Sequence, residues 1–269
     1  FMTGWWLNEP STVDSIELLK EVDYIYISHN HPDHLHPETL NLVFKDKKII
    51  VADFTTKSTE KYLRALGFTN IISLGFNDIY DIVPNFQISL LKSGDFRDDS
   101  GIYFNINGYQ ALLTVDCNFL NSNILPQNID LLMTSFAGGA SGFPLCFDNY
   151  NIEEKKKVVF RNKMAVRSSV INYLKATKPL NYLPYAGMFK EYAKRDMFIK
   201  NNNEKNSPKD YKQICDSLNV NYIEPVKNKI IQFKDGLINY RKIEVTYLQK
   251  EDNLYYLNKY KEDYLFNSS

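Results

Sequence analysis

The stretch YIYISHNHPDHLHP, residues 24–37, decides how the rest of the chain is read. Its first five residues are aromatic or β-branched and run into a polar cluster, which predicts a short buried strand. Behind that strand stand His29, His31, His34 and His36, the only four histidines among 269 residues. The cluster thus follows the carboxyl end of a strand, where α/β sheets commonly place their ligands. Pro32 biases His31 towards an extended backbone and favours a tight loop. In such a loop two imidazoles at 29 and 31, followed by Asp33 and His34, turn around one point. Imidazole is the commonest side-chain ligand of divalent transition ions, and a carboxylate beside it suits a second ion. The residues therefore predict that His29 and His31 bind one metal, while Asp33 and His34 bind its neighbour. The bland alternative is a His-rich surface loop, but it does not explain why every histidine lies just past one strand. His36 is read as a helix cap or a support for the ligands.

Composition narrows the field. Lys+Arg and Asp+Glu balance at 32 each, which predicts neither a nucleic-acid nor a membrane partner. No apolar run approaches the roughly 20 residues that span a bilayer, and the opening FMTGWWLNEP lacks a leader pattern. Cys117, Cys146 and Cys215 are scattered and form no C-x-x-C pair, so neither a zinc ribbon nor a disulfide framework is expected. A reducing cytoplasm is the resulting expectation. With every histidine in one loop, further metal ligands must be carboxylates from elsewhere.

Outward from the histidines, apolar spacing predicts helices at 12–20, 37–44, 58–66 (ended by Gly67), 152–176 and 208–217. Strands are expected at 24–28, 47–54, through the β-rich stretch that follows, and at 130–136 and 181–185. The clearest hairpin is IYFNINGYQALLTVD, 102–116, turning at Asn107-Gly108. Short strands are expected in the polar tail beyond 217. No linker or repeat interrupts this order, and a single mixed α/β domain with two sheets and outer helices, residues 1–269, fits it.

The signature His29-x-His31-x-Asp33-His34 resembles that of the metallo-β-lactamase fold, an αββα sandwich with metals at its sheet edges. That resemblance implies further ligands by position: Asp116 in LLTVDCN as the bridging carboxylate, Asp95 in SGDFRDDSG (chosen over Asp98 and Asp99), and Glu191 in PYAGMFKE. Asp33 and Asp116 are then the expected catalytic carboxylates. Carboxylates in place of imidazoles harden the site and shift its preference from zinc towards iron or manganese.

Longer stretches are more specific. GWWLNEP (4–10), YIYISHNHPDHLHPETL (24–40), LLTVDCN (112–118), LLMTSFAGGASGFPLCF (131–147) and LPYAGMFKE (183–191) resemble the family of CMP-N-acetylneuraminate hydroxylases. IKNNNEKNSP (199–208) resembles it in part, and about 200–269 is a weakly matched extension. The resemblance implies a metal-dependent monooxygenase with two ions, iron first, acting with dioxygen on the N-acyl group of a nucleotide-activated sugar. Gly138, Gly139, Ser141 and Gly142 would line its substrate pocket, because glycines admit close approach of a ligand to the backbone. Arg161, Lys163 and Arg167 are read mostly as a solvated helix face. The family's Rieske cluster has no ligands here, so a separate electron-donor protein or reductase is expected. The opening in mid-motif further suggests a sandwich lacking its first strands. The alternatives are a metallo-hydrolase acting on phosphodiesters or lactones, in which a metal-bound hydroxide attacks, and a diiron oxygenase on another metabolite. A degenerate fold kept as a binding module is the non-enzymatic option.

Overall fold

A computed structural model describes residues 6–117, 119–138, 142–234 and 237–268. The chain divides into two compact units: residues up to Leu74 with Lys190–Asp196 and the chain from Lys242, and Gly75–Phe189 with Met197–Arg241.

In the first unit, Thr12 accepts the Ser15 amide and caps α1 (Val13–Glu21). There follow β1 (Tyr24–Ile27), α2 (Pro37–Leu40), β2 (Lys48–Ala52), α3 (Ser58–Ala65) and β3 (Ile71–Leu74). The three strands form a parallel sheet in the order β1-β2-β3. Ile27, Ile49, Val51, Leu63 and Phe68 pack in its core with Leu35 and Leu40. Gly67 ends α3 at φ +90°, a left-handed position that glycine adopts without a steric penalty. The helix expected over 37–44 stops after one turn. There the Leu42 and Val43 amides turn to the carbonyls of Thr39 and Leu40, tightening the chain into i→i+3 bonds that sink Leu40 and Val43 into the core.

The second unit is built on a seven-stranded sheet. Its strands are β4 (Tyr80–Val83), β5 (Phe86–Lys92), β6 (Ser100–Ile106), β7 (Tyr109–Leu113), β8 (Leu131–Ser135) and, after the long helix α4 (Ile152–Thr177), β9 (Asn181–Ala186). Beyond α5 (Met197–Asn202) and α6 (Lys212–Ser217), β10 (Asn221–Tyr222) completes it. β4 to β7 run antiparallel, and β7 to β10 parallel. The expected hairpin turns where it should: Asn107 (φ 52°) and Gly108 (φ 86°) take the two left-handed positions of a two-residue turn. α4 buries Val159, and its Val170, Tyr173 and Leu174 pack among Leu112, Leu132, Tyr182 and Tyr211. The hydroxyl of Tyr173 donates to the Cys117 carbonyl (3.1 Å) and accepts from the Leu120 amide (2.9 Å). The helix therefore pins the loop that follows β7.

β11 (Lys229–Lys234) and β12 (Leu237–Lys242) form a separate ribbon, and α7 (Asn253–Ser268) ends the chain. α7 was not expected from the sequence, because its Tyr, Lys and Asn residues lack an apolar stripe. Its start is marked all the same: Asp252 Oδ1 accepts the Tyr255 amide at 2.8 Å.

Candidate metal-binding residues

Ligand-type side chains gather in two places, one in each unit. In the first unit the loop after β1 turns sharply, with the His34 and Leu35 amides both donating to the His31 carbonyl (2.9 and 2.8 Å). Leu35 is buried and anchors that turn. His29 is almost fully buried (1% exposed), and Ser28 Oγ sits 2.9 Å from its Nδ1. The other nitrogen, Nε2, stands 2.8 Å from His31 Nδ1. Two imidazole nitrogens this close share a proton or a cation. The Ser28 contact fixes the ring in the manner of the outer partners of metal-ligating histidines. The His34 ring lies 4.2 Å from His29, centroid to centroid.

Asp33 follows on the same turn. Its side chain is 60% exposed and lies 3.6 Å from His34 Nε2. His36 caps α2: its Nδ1 accepts the Thr39 amide, while Glu38 lies 2.8 Å from its Nε2. Burial lowers the His36 pKa, with Glu38 pulling the other way.

In the second unit the carboxylates surround Arg97. Its Nε and Nη2 donate to Asp95 Oδ2 (2.9 and 2.7 Å), and its backbone amide donates to Asp95 Oδ1 (3.1 Å). Nη1 pairs with Asp99 at 3.1 Å, and Nη2 donates to the Asp116 carbonyl at 3.2 Å. Burial alone would raise the Asp95 pKa, but the bonds and charge of Arg97 outweigh it and hold the carboxyl below its ordinary value. Both Asp95 oxygens are thus engaged by Arg97. The position chosen by resemblance does the work of an anchor, and the buried carboxylate of that loop is Asp99, 1% exposed at the mouth of β6. Asp99 stands immediately before the SGIYFNI strand, where a side chain turns inward.

Asp116 lies in the turn after β7, half-buried. Val115 before it takes φ 52°, a left-handed backbone that costs a β-branched residue of order 1–3 kcal/mol. The backbone of Val115 is bonded by the Tyr185 hydroxyl of β9, whose own pKa is pushed up by burial and by the Asp116 charge. Glu191 is half-buried and belongs to the first unit.

Of the glycine-rich loop, Gly139 and Ser141 lie outside the described residues. At Gly142 an added Cβ would stand 2.5 Å from Ile199 Cγ2, so packing alone requires glycine there. A Cβ on Gly138 would meet only Val166, at 3.7 Å. Gly187 takes φ +123° against Ala137, a close approach of two backbones that seats the start of the loop.

Each unit carries a sheet with its helices, as the expected αββα class requires, and the histidines and aspartates are side chains of the type that could hold metal ions. No family model matches the chain. Among known sequences it is similar to cytidine monophosphate-N-acetylneuraminic acid hydroxylase: 35% identical over 225 residues to the Danio rerio protein, covering 80% of this chain and 37% of that one. The Mus musculus enzyme is 35% identical over 222 residues, covering 77% of this chain and 37% of its own. The chain therefore spans little more than a third of the relatives it matches. Among solved structures, an isothiocyanate hydrolase from Delia radicum gut bacteria aligns at TM-score 0.46 and 14% identity, over 78% of this chain and 76% of that one. No helix among the described residues is long and apolar enough to cross a membrane.

Proposed function

We propose that this chain is the metal-bearing part of an iron-dependent monooxygenase that hydroxylates the N-acyl group of a nucleotide-activated sugar. The observation that carries the reading is the 35% identity to CMP-N-acetylneuraminic acid hydroxylase over 225 residues. In this reading His29, His31 and His34 supply imidazole ligands, and Asp99 and Asp116 carboxylate ligands. Asp33 stands beside His34 and orients it, and Asp95 serves through Arg97. Catalytic metal sites, unlike structural ones, keep a position open for substrate or water. Oxygen ligands beside imidazoles suit iron or manganese as well as zinc. When bound, the ions supply dioxygen activation with electrons from a separate donor protein.

The chain's own residues provide the rest. Ser28 orients His29, Arg97 offsets part of the negative charge of Asp95 and Asp99, and Tyr185 holds the strained turn that presents Asp116. The test is elemental analysis of anaerobically purified protein, followed by oxygen uptake with CMP-N-acetylneuraminate and a reductant. About two irons per chain and substrate-dependent uptake are expected. Tightly held zinc with hydrolysis of phosphodiesters or lactones would replace this reading with the hydrolase.

A further inference from the structure

Two stretches of the second unit, the chain that runs into α6 and the β11–β12 ribbon, share one cavity of about 600 Å³. Lys209 and Lys212 stand on the first and Lys229 and Tyr240 on the second, and Tyr222, Glu224 and Val226 lie between them in the chain. None of these residues is a metal-binding candidate.

Packing fixes both walls. Tyr211 and Cys215 are fully buried and sink the turn Pro208–Tyr211 and α6 into the core. Ile231, Phe233 and Ile238 hold the ribbon against Ala111, Leu131 and Ile223. The lysines themselves are exposed, so their ammonium groups move on a firm frame.

The charges are unequal. Among the described lining residues three lysines face one carboxylate, Glu224, which leaves two positive charges. None of the three lysines forms an ion pair among the described residues. Lys229 Nζ rests instead over the Tyr240 ring, 5.5 Å from its centroid. The acids of the same turn and helix, Asp210 and Asp216, are not part of the lining. Asp210 caps the turn, accepting the Ser207 amide at 2.7 Å. A concave wall of one sign focuses its field and draws in an anion.

The residue types say which anion. Lysine is a compact point charge with three donors, suited to phosphate, whereas carboxylates are best met by the planar fork of arginine. A phosphomonoester carries roughly −1.5 to −2 charges at neutral pH, which matches the surplus; a single carboxylate leaves half of it unmet. Val226 and the rings of Tyr222 and Tyr240 add a surface for an organic group. We infer that this cavity binds a small organic phosphomonoester, its phosphate among Lys209, Lys212 and Lys229 and its organic part against Tyr222, Tyr240 and Val226. The volume lies inside the usual range of small-molecule sites. The inference stands apart from the hydroxylase reading, because no metal-binding candidate takes part in it.

The experiment is calorimetric titration of the full chain with cytidine monophosphate, ribose 5-phosphate, cytidine and inorganic phosphate. At least one of the two phosphomonoesters is expected to bind more tightly than inorganic phosphate, and cytidine not measurably. Lys212→Gln and Lys229→Gln should each weaken that binding roughly tenfold, the lower end for a hydrogen bond to a charged group because the side chains are exposed. Lys212→Arg should keep most of it. Lys156→Gln removes an exposed positive charge of α4 outside the cavity and should change nothing. If neither phosphomonoester binds, the inference is overturned. Inorganic phosphate binding as tightly as both means an adventitious ion only and overturns it too. So does binding that survives Lys212→Gln and Lys229→Gln, or that falls equally with Lys156→Gln. Binding abolished by a chelator belongs to the metal ions and likewise removes the lysine site, whereas binding that outlasts the chelator and falls with the lysines supports it.

Discussion

Asp95 and Asp99 lie four residues apart in one loop, yet their surroundings give them different work. Asp95 is bound on both oxygens by Arg97, whereas Asp99 is buried and pairs with the same guanidinium through Nη1. Asp99→Ala is therefore expected to remove about one metal equivalent per chain, and Asp95→Ala to keep both. Mass-spectrometric metal analysis of the two proteins decides it, and the opposite pattern would return Asp95 to the ligand set. The glycines of the neighbouring loop separate in the same way. Gly142→Ala forces a side chain into Ile199 and should cost about 1–3 kcal/mol, the usual scale of overpacking. Gly138→Ala meets only ordinary contact and should be near neutral in denaturant unfolding.

At the scale of elements, α4 is the longest helix and the one that holds the loop after β7. Its start is a reciprocal cap: Asn151 Oδ1 accepts the Glu153 and Glu154 amides (3.0 Å each), and Glu154 Oε2 accepts the Asn151 amide at 2.8 Å. Asn151→Ala should cost about 1 kcal/mol, read as a lower urea midpoint with an unchanged m-value. The strands were largely legible because alternation and the Asn-Gly turn are local signals. α7 was not, since a helix without an apolar stripe leaves only its Asp252 cap to find. The helix over 37–44 was overread: its apolar residues are real, but the core takes them from tight turns.

Across the whole molecule, the three cysteines report how burial is distributed. Cys117 and Cys215 are buried and Cys146 is exposed. Burial, aided by the charge of Asp216, pushes the Cys215 thiol up to about 12 from an ordinary 9.0. Burial and the charges of Asp99, Asp116 and Asp95 push Cys117 higher still, against a smaller opposing pull from Arg97. A thiol-specific reagent at pH 8 should therefore label one site quickly in the native protein and three in denaturant. Fast labelling of Cys117 would contradict the packing. Because the folded pKa exceeds the unfolded one, the unfolded chain releases these protons first. Their contribution to stability is intact below pH 9 and drains away as pH rises towards 12.

The sequence by itself singled out the histidine loop, the fold class and most of the strands. These rest on spacing and alternation along the chain, which a linear text records. The tertiary structure decided which acids of SGDFRDDSG are anchored and which are buried, why Gly142 must be glycine, and that two distant stretches share a cavity. Those outcomes depend on which atoms meet across the fold. Arg97 can grip one carboxylate by three donors only after β5 and β6 have brought the loop's ends together.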